Sequence, residues 1–592
     1  MTPRNRVKDP ISKKFSFIVK TFSLTEKSLF FLFFAVFVFT GLSILWSVNA
    51  HFLIDVPGRG GMLTEGIVGS PRYINPLLAV SDADEDVTSL IYSGLLKVSP
   101  EGKLINDLAK EYSISADGLE YTFTLKDNIF FQDGTSVTAS DVEFTTKKAQ
   151  DIVLKSPKRI NWDNVTIQKI NNKQIKFILK HPYSPFIENL TMGILPEHVW
   201  KNLDADQFSA SLFNTEPIGS GPYKVSKVGR NSGGVPIYYE LTPFSDYALG
   251  EPYIGVLALN FYTNDESAIE AYKNGDIESI SGVSPQKIKE MIRDESVVKQ
   301  ASLPRVFGIF FNQSQAPILL NKEVRTALAL VVDKDKIVED VLQGYGTPID
   351  GPRPFGEYHE IQNQNVASGT STTKATTNTD SAIALLTKNG WKLNDKTGIM
   401  EKTVKKITTT LEFSISTGDA PELKATAEIL QDEWKKIGVK ANIKVFETSD
   451  LNQNIIRPRK YDALLFGEVI GRDFDLYPFW HSSQRNDPGL NVALYVNSKA
   501  DKLLEEMRTT TDVDIKNNDY TIFAKLISDD VPAIFTYSPN FTYLVPSKIK
   551  NLKLGDTITP NERFMNIAEW HVETDKVWKI FVKDSEQKIN NN

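Results

Sequence analysis

Between Leu29 and Trp46 the chain reads LFFLFFAVFVFTGLSILW, eighteen residues without a charge. As a helix this stretch reaches about 27 Å, close to the roughly 30 Å of a bilayer's hydrocarbon core. A helix that is apolar on every side suits lipid, or the middle of a large core. The basic segment ahead of it decides for lipid: Arg4, Arg6, Lys8, Lys13, Lys14, Lys20 and Lys27 stand against only Asp9 and Glu26. The positive-inside rule then makes residues 1–28 a cytoplasmic tail and 29–48 a single span, with everything later on the far side of the membrane. Val48 and Ala50 also form a passable small-residue cleavage site, so a secretory signal is the alternative. The apolar stretch exceeds the roughly 7–15 residues usual for a signal, which favours an uncleaved anchor.

The chain beyond the span is long enough for two or three lobes, since single cores stop growing near 250–300 residues. The first fifty residues carry seven basic and two acidic side chains, so the whole-chain charge of −7 becomes −12 for the remainder. That balance argues against a nucleic-acid partner. With no cysteine, disulfides, thiolate metal sites, cysteine nucleophiles and a lipidated cysteine are all excluded. The six histidines, His51, His181, His198, His359, His481 and His571, form no local ligand pair, and neither a metal nor another cofactor is expected.

Residues 49–64 include HFLIDVPGRGGMLT and read as a tether. Thr88 to Leu96 reads as a short helix preceded by the acidic run Ser81 to Asp86. Leu119 to Leu125 (LEYTFTL) alternates strictly, placing Leu119, Tyr121, Phe123 and Leu125 on one face of a half-buried strand. Asp117-Gly118 and Asp133-Gly134 flank it as turns, and Ile175 to Leu179 supplies another strand, so a small antiparallel sheet is expected here. Ser140 with Glu143 reads as a capping box opening the next helix. Helices are expected over Val324 to Val332 and Lys336 to Leu342, with Asp333 or Asp335 as the cap between them. Later, the strand Leu411 to Ser416 leads through Pro421 into a helix with Leu423, Ala427, Leu430, Trp434 and Ile437 at spacings of three and four. Gly438 ends it, and Val439, Ala441, Ile443 and Val445 alternate again. Strand, helix, strand over this length is a βαβ unit with parallel strands. Gln362 to Asp380 is nearly all small and polar and reads as a mobile surface loop.

One stretch gathers reactive residues: GEVIGRDFDLYPFWHSS, residues 467–483, holds two aspartates, an arginine, a histidine and two serines among four aromatic rings. An enzyme built on it would need further machinery. The chain has no G-x-S-x-G elbow, no phosphate-binding G-x-x-x-x-G-K-[ST], no H-E-x-x-H and no G-x-G-x-x-G; the nearest approach is Gly219-Ser220-Gly221-Pro222-Tyr223. Binding without catalysis is the favoured reading.

The order of motifs resembles the extracellular solute-binding proteins of family 5, the oligopeptide- and dipeptide-binding components of ABC importers. The matching pieces are SPRYINPL (Ser70 to Leu77), IYSGLL (Ile91 to Leu96), Leu108 to Thr145, ILPEHVW (Ile194 to Trp200), PIGSGPYKV (Pro217 to Val225), GIFFN (Gly308 to Asn312), VRTALALVVDKDKIV (Val324 to Val338), ALLTKNGW (Ala384 to Trp391) and DFDLYPFWHSS (Asp473 to Ser483). The resemblance spans about residues 64 to 570. It implies an α/β, two-lobed periplasmic-binding-protein-like fold of class II, with an extra antiparallel α+β domain, behind the one N-terminal transmembrane helix. Lobe I would comprise 65–92, 182–303 and 538–592, the extra domain 93–181, and lobe II 304–537, joined by two crossing strands.

The resemblance also implies a solute enclosed between closing lobes and handed to ABC permease subunits by a monomeric receptor anchored in a bacterial membrane. For a peptide, an Asp in the cleft offers a charge-assisted bond to the ammonium. Asp473 and Asp475 are the candidates, each equally able to cap a helix starting near Leu476. Tyr477 and Trp480 are candidate walls or core, and His481 reads as structural. Asp84, in an acidic run that could receive a cationic group, and Asn312, ending GIFFN, complete the candidate set. Glu468 stands where peptide binders often carry Trp, and the Asp they place soon afterwards comes later, at Asp473. Related members bind nickel complexes, haem or sugars, so a non-peptide solute is the alternative, and an enzyme or sensor on the same fold the third.

Overall fold

The computed structural model describes residues 22–354, 374–510 and 512–578. It divides into two compact units, one of residues 1–59 with 573–592 and one of 60–572.

In the first unit a helix runs Leu24–Phe52, with no buried residue. Ser23 and Glu26 bond reciprocally across its first turn as a capping box. The helix therefore outruns the eighteen apolar residues at both ends. It is long and apolar enough to cross a membrane. Leu53–Pro57 then pairs antiparallel with Thr574–Trp578. The tether expected over 49–64 is thus helix end, strand and, from Gly60, the start of a second strand, Gly60–Val68. Leu63 and Ile67 are buried on it, but Glu65 between them interrupts the apolar alternation and three glycines suggest a coil.

The second unit is built on one twelve-stranded mixed sheet. Its path runs Lys440–Phe446, Glu412–Gly418, Ala463–Val469, Arg305–Phe311, Ala533–Pro546, Ser279–Ser281, Gly60–Val68, Ile254–Tyr262, Pro236–Pro243 and Tyr223–Arg230. The 14-residue strand Ala533–Pro546 is the link. Its first half pairs with Arg305–Phe311 and Gly346–Pro348, and its second with Ser296–Ser302 and Ser279–Ser281. The chain therefore crosses from one lobe to the other at Leu303–Pro304 and returns beside it, where the Ser538 hydroxyl donates to the Leu303 carbonyl (2.7 Å).

In the second lobe the sheet buries both faces, and a period of two sends alternate residues to opposite sides. Ile309, Phe311, Ala463 and Leu465 enter one cluster with Trp434 and Leu430, while Phe310 and Leu464 enter another with Trp480 and Phe523. The expected βαβ unit is present: Glu412–Gly418 and Lys440–Phe446 are parallel neighbours joined by the helix Pro421–Lys435, with Gly438 in the left-handed region (φ 75°). Asp333 caps the helix Lys334–Leu342. Of the expected mobile loop, residues 362–373 lie outside the described residues, and the rest belongs to the helix Lys374–Lys388.

In the first lobe, the strand Glu120–Leu125 buries Tyr121, Phe123 and Leu125 and exposes the alternate face more, as its sequence requires. It lies between Ala109–Ile114 and Gln174–Ile178 in a four-stranded antiparallel sheet that shares a continuous core with the lobe. The capping box is a correction. The helix Ala139–Gln150 is opened by Thr138 with Asp141, whose side chains and backbones bond reciprocally, and not by Ser140 with Glu143. Both pairs fit the pattern, but Ser140 is already helical, and its hydroxyl accepts from the Lys169 ammonium (2.8 Å) instead. The helix expected from Thr88 actually spans Asp82–Ile91, so the acidic run is its own first turn, where the helix dipole favours negative charge. Gly219 and Gly221 are explained by contact: a Cβ on Gly219 would lie 2.0 Å from the Ile91 carbonyl oxygen, and one on Gly221 2.6 Å from the Ile91 carbonyl carbon. The glycine pair lets two backbones touch.

A buried ionic cluster anchors the first lobe. Arg563 donates to both carboxylate oxygens of Asp86 (2.6 Å each) and to Glu65 (3.0 Å), while the Tyr543 hydroxyl donates to the other Glu65 oxygen (2.7 Å). It joins strand Gly60–Val68, the acidic helix and the linking strand Ala533–Pro546.

Candidate functional site

Where strand Ala463–Val469 ends, the Ile470 amide donates to the Pro304 carbonyl (2.8 Å), so the next residues start at the crossing between lobes. A turn closed by the Phe474 amide on the Gly471 carbonyl (3.0 Å) places Phe474 in the left-handed region (φ 54°), a conformation a non-glycine residue holds only at a cost. Around this turn lie Arg472, Asp473 and Asp475. Asp475 accepts from the Tyr477 amide (3.1 Å), just ahead of the short helix Tyr477–Trp480, and its other oxygen lies 3.2 Å from the Arg508 Nε.

Three contacts bring the first lobe against this turn. The Arg508 guanidinium sits 4.5 Å from the ring centre of Tyr477 and 5.2 Å from that of Tyr183, so one cation bridges an aromatic from each lobe. Ser184 accepts from the Lys516 ammonium (2.8 Å) and donates to the Arg508 carbonyl (3.4 Å). Arg472 pairs with Glu562 (2.7 Å) and donates to the Asp556 carbonyl (3.2 Å).

Next to this boundary a cavity of about 290 Å³ opens in the first lobe. Its carboxyls are Glu85, Glu188 and Glu562, and Lys158 is the one cation in its wall among the described residues. Tyr92, Trp162 and Met192 supply apolar surface, the mixture expected of a small-solute site. A second cavity, of about 160 Å³, shares Ser89, Tyr92, Thr191, Asn561 and Glu562 with it and reaches Lys97, Asp107 and Tyr247. Burial, helped by the charge of Asp473, pushes Glu188 up to about 8. Burial, then the neighbouring Asp475, pushes Asp473 up to about 6. Asp475 is also raised by burial, with Arg508 opposing.

The structure brings Asp473, Asp475 and Tyr477 to this boundary and distributes the other candidates elsewhere. Trp480, 1% exposed, is core, packed on Phe310, Tyr495, Phe523 and Phe535. Asp84 spends its carboxylate on backbone: one oxygen accepts from the amides of Arg72 (2.6 Å) and Tyr73 (2.8 Å), pinning the SPRYINPL loop. Asn312 closes a turn, accepting from Ser314 and Gln315 (3.1 Å each), at the end of strand Arg305–Phe311 remote from the crossing, about 20 Å away along a seven-residue strand. The cationic group expected for the acidic run is internal, since Asp86 receives Arg563. Glu468 is 4% exposed with neither carboxylate oxygen hydrogen-bonded among the described residues, and burial alone holds it well above the usual carboxylate range. Glu188, Arg508, Lys516 and Glu562 are not singled out by sequence, because they come from four separated segments with no motif between them.

Geometry also rules on a hydrolytic Asp, His and Ser in this stretch. Ser483 and His481 are 2.7 Å apart, but His481 also accepts from the Ser483 amide (3.1 Å), the bond of a helix cap. The nearest aspartate, Asp501, is 3.8 Å from the ring, too far for a hydrogen bond, and both its oxygens bond Ser482.

Residues 103–489 match the model of the bacterial extracellular solute-binding proteins, family 5 Middle. The chain is 27% identical over 521 residues to the oligopeptide-binding protein AppA of Bacillus subtilis, covering 87% of this chain and 92% of that protein. It is 26% identical over 501 residues to the probable D,D-dipeptide-binding periplasmic protein DdpA of Escherichia coli, covering 83% and 90%. Among solved structures, AppA of Bacillus subtilis in complex with a nonapeptide aligns with a TM-score of 0.62 at 26% identity, over 87% of this chain and 100% of that one. NikZ of Campylobacter jejuni in complex with Ni(L-His) aligns with a TM-score of 0.64 at 26% identity, over 86% and 99%.

Proposed function

This chain belongs to the bacterial extracellular solute-binding proteins of family 5, and from that premise we propose that it is a membrane-tethered receptor that binds peptides between its lobes and delivers them, chemically unaltered, to an ABC importer. The helix Leu24–Phe52 is its single-pass anchor, with the basic tail in the cytoplasm and the lobes outside. The receptor acts as a monomer and docks its shut form on the permease.

The observation that carries the reading is the boundary itself. Asp473, from the second lobe, has one hydrogen bond to its carboxylate among the described residues, a 3.4 Å contact from the Asp475 amide, and follows Arg472, which pairs with Glu562 in the wall of a first-lobe cavity of peptide-fragment size. An ammonium placed there gains a charge-assisted bond in a poorly hydrated setting. Because such a solute touches both lobes only when they meet, it shifts the population toward the shut form by its differential affinity. Similarity to AppA and DdpA supports a peptide as that solute.

Native mass spectrometry of the full chain in detergent, followed by denaturation, tests this. Release of short peptides with intact termini is expected. Release of a single metabolite or a metal complex would replace the peptide with that solute and leave the receptor role standing.

A further inference from the structure

We infer that the smaller first-lobe cavity, of about 160 Å³, is a specificity pocket for an uncharged carboxamide of the solute, the side chain of a glutamine in a bound peptide. The inference rests on the proposed peptide receptor and adds a side-chain pocket to its site.

The pocket is lined by one cation, Lys97, and by Asp107, and neither forms an ion pair among the described residues. The Lys97 ammonium donates to the Tyr247 hydroxyl (3.1 Å), which leaves it further N–H groups to offer. Asp107 is 2% exposed, and one of its carboxylate oxygens is buried with no hydrogen-bond partner among the described residues. The Tyr92 hydroxyl and the Asn561 side-chain oxygen are in the same state. Both of these residues also line the 290 Å³ cavity, so the pocket adjoins it. The other polar groups of the lining are spent. Ser89 and Thr191 donate to the Asp86 and Glu188 carbonyls (2.8 Å each), and Glu562 holds Arg472 (2.7 Å) and accepts from the Ile558 amide (2.7 Å). Lys126, the next cation to Asp107, donates to the Ala248 carbonyl (3.3 Å).

An ammonium can only donate and a carboxylate can only accept, so no single ligand atom serves both. Their charges cancel, so a ligand group that brought its own charge would be buried without a counterion. The matching group is neutral, with an acceptor at one end and N–H at the other. A carboxamide has both: its oxygen accepts from Lys97 and the Tyr92 hydroxyl, and its NH₂ donates to Asp107 and the Asn561 oxygen. Size agrees, because a cavity of about 150 Å³ holds a molecule of benzene's size, and a glutamine side chain is no larger. An apolar side chain of that length would leave these groups dry and unpaired. A site built to hydrogen-bond rejects an analogue that lacks the polar group for this reason.

The test uses the full chain in nanodiscs and titration calorimetry with trialanine, in which the alanine at each position in turn is replaced by glutamine, methionine or glutamate. At one position glutamine is expected to bind at least about tenfold tighter than methionine or glutamate. Tyr92→Phe removes a hydroxyl with no protein partner, so its melting temperature should hold while that preference falls severalfold. Lys97→Met should abolish the preference. A peptide-free arm follows propionamide by saturation-transfer NMR, with a signal expected for the wild type and lost in Lys97→Met. If propionamide gives that pattern and no tripeptide binds, the pocket stands and the peptide reading falls. If tripeptides bind and no position prefers glutamine to methionine, or the preference survives both variants, the pocket holds only water, its assignment falls, and the peptide reading stands. If neither propionamide nor any tripeptide binds, both fall.

Discussion

Arg563→Ala is expected to destabilise the 60–572 unit by about 3–5 kcal/mol, the cost of leaving buried charge without its partner. Arg563 is 0% exposed and is the shared partner of Glu65 and Asp86, which are themselves buried. Burial already raises both carboxyls even with the guanidinium in place, and its removal forces them to be neutral or unpaired. The loss is therefore greatest at neutral pH and shrinks as pH falls and the carboxyls protonate. Urea unfolding at pH 5 and pH 7.5 measures both features. Because the cluster ties the acidic helix to the linking strand Ala533–Pro546, the variant should also weaken the hinge region. A loss under 1 kcal/mol at pH 7.5 would show that the cluster is not what holds these elements together.

Asp473→Ala is expected to weaken peptide binding by about 10- to 150-fold, the equivalent of about 1.5–3 kcal/mol for a charge-assisted hydrogen bond. Stability should barely change, because the one hydrogen bond to its carboxylate among the described residues is the 3.4 Å contact from the Asp475 amide. Asp475→Ala should behave differently. It removes both the Arg508 partner and the acceptor of the Tyr477 amide, so affinity and melting temperature should fall together. Titration calorimetry with scanning calorimetry separates the two patterns. An Asp473→Ala protein of unchanged affinity would move the ammonium elsewhere in the cavity.

Local periodicity makes much of the fold legible in the sequence. Tyr121, Phe123 and Leu125 announce their strand. Leu430 and Trp434 announce the helix of the βαβ unit, and Gly438 its end. Ambiguity arises where two local solutions share one pattern. Thr138 with Asp141 and Ser140 with Glu143 both satisfy the capping-box spacing, and tertiary placement chooses the first. Leu63 and Ile67 lie on a strand whose glycines imitate a tether. In the candidate site, Asp473 and Asp475 are findable because they lie within a recognisable motif. Asn312 lies at the strand end remote from the crossing, which a motif does not reveal because it shows that a strand is present and not which way it runs. Asp84 is ambiguous because an acidic first turn and a cation site look alike in sequence. Glu188 is invisible there: a lone acid in ENLT sits in no motif, and only folding places it in the wall of the cavity of about 290 Å³.

A receptor of this kind depends on lobes that shut around a solute, and the absence of cysteine makes that motion directly measurable. Lys227 and Lys444 are exposed on strands near opposite edges of the long sheet, one in each lobe. With both replaced by cysteine and labelled, electron–electron distance measurement on the full chain in nanodiscs reports how far the lobes stand apart. Saturating the receptor with a peptide it demonstrably binds should collapse a broad or longer distribution to one short distance, and Asp473→Ala should require correspondingly more peptide to do so. A distribution identical with and without bound peptide would contradict closure.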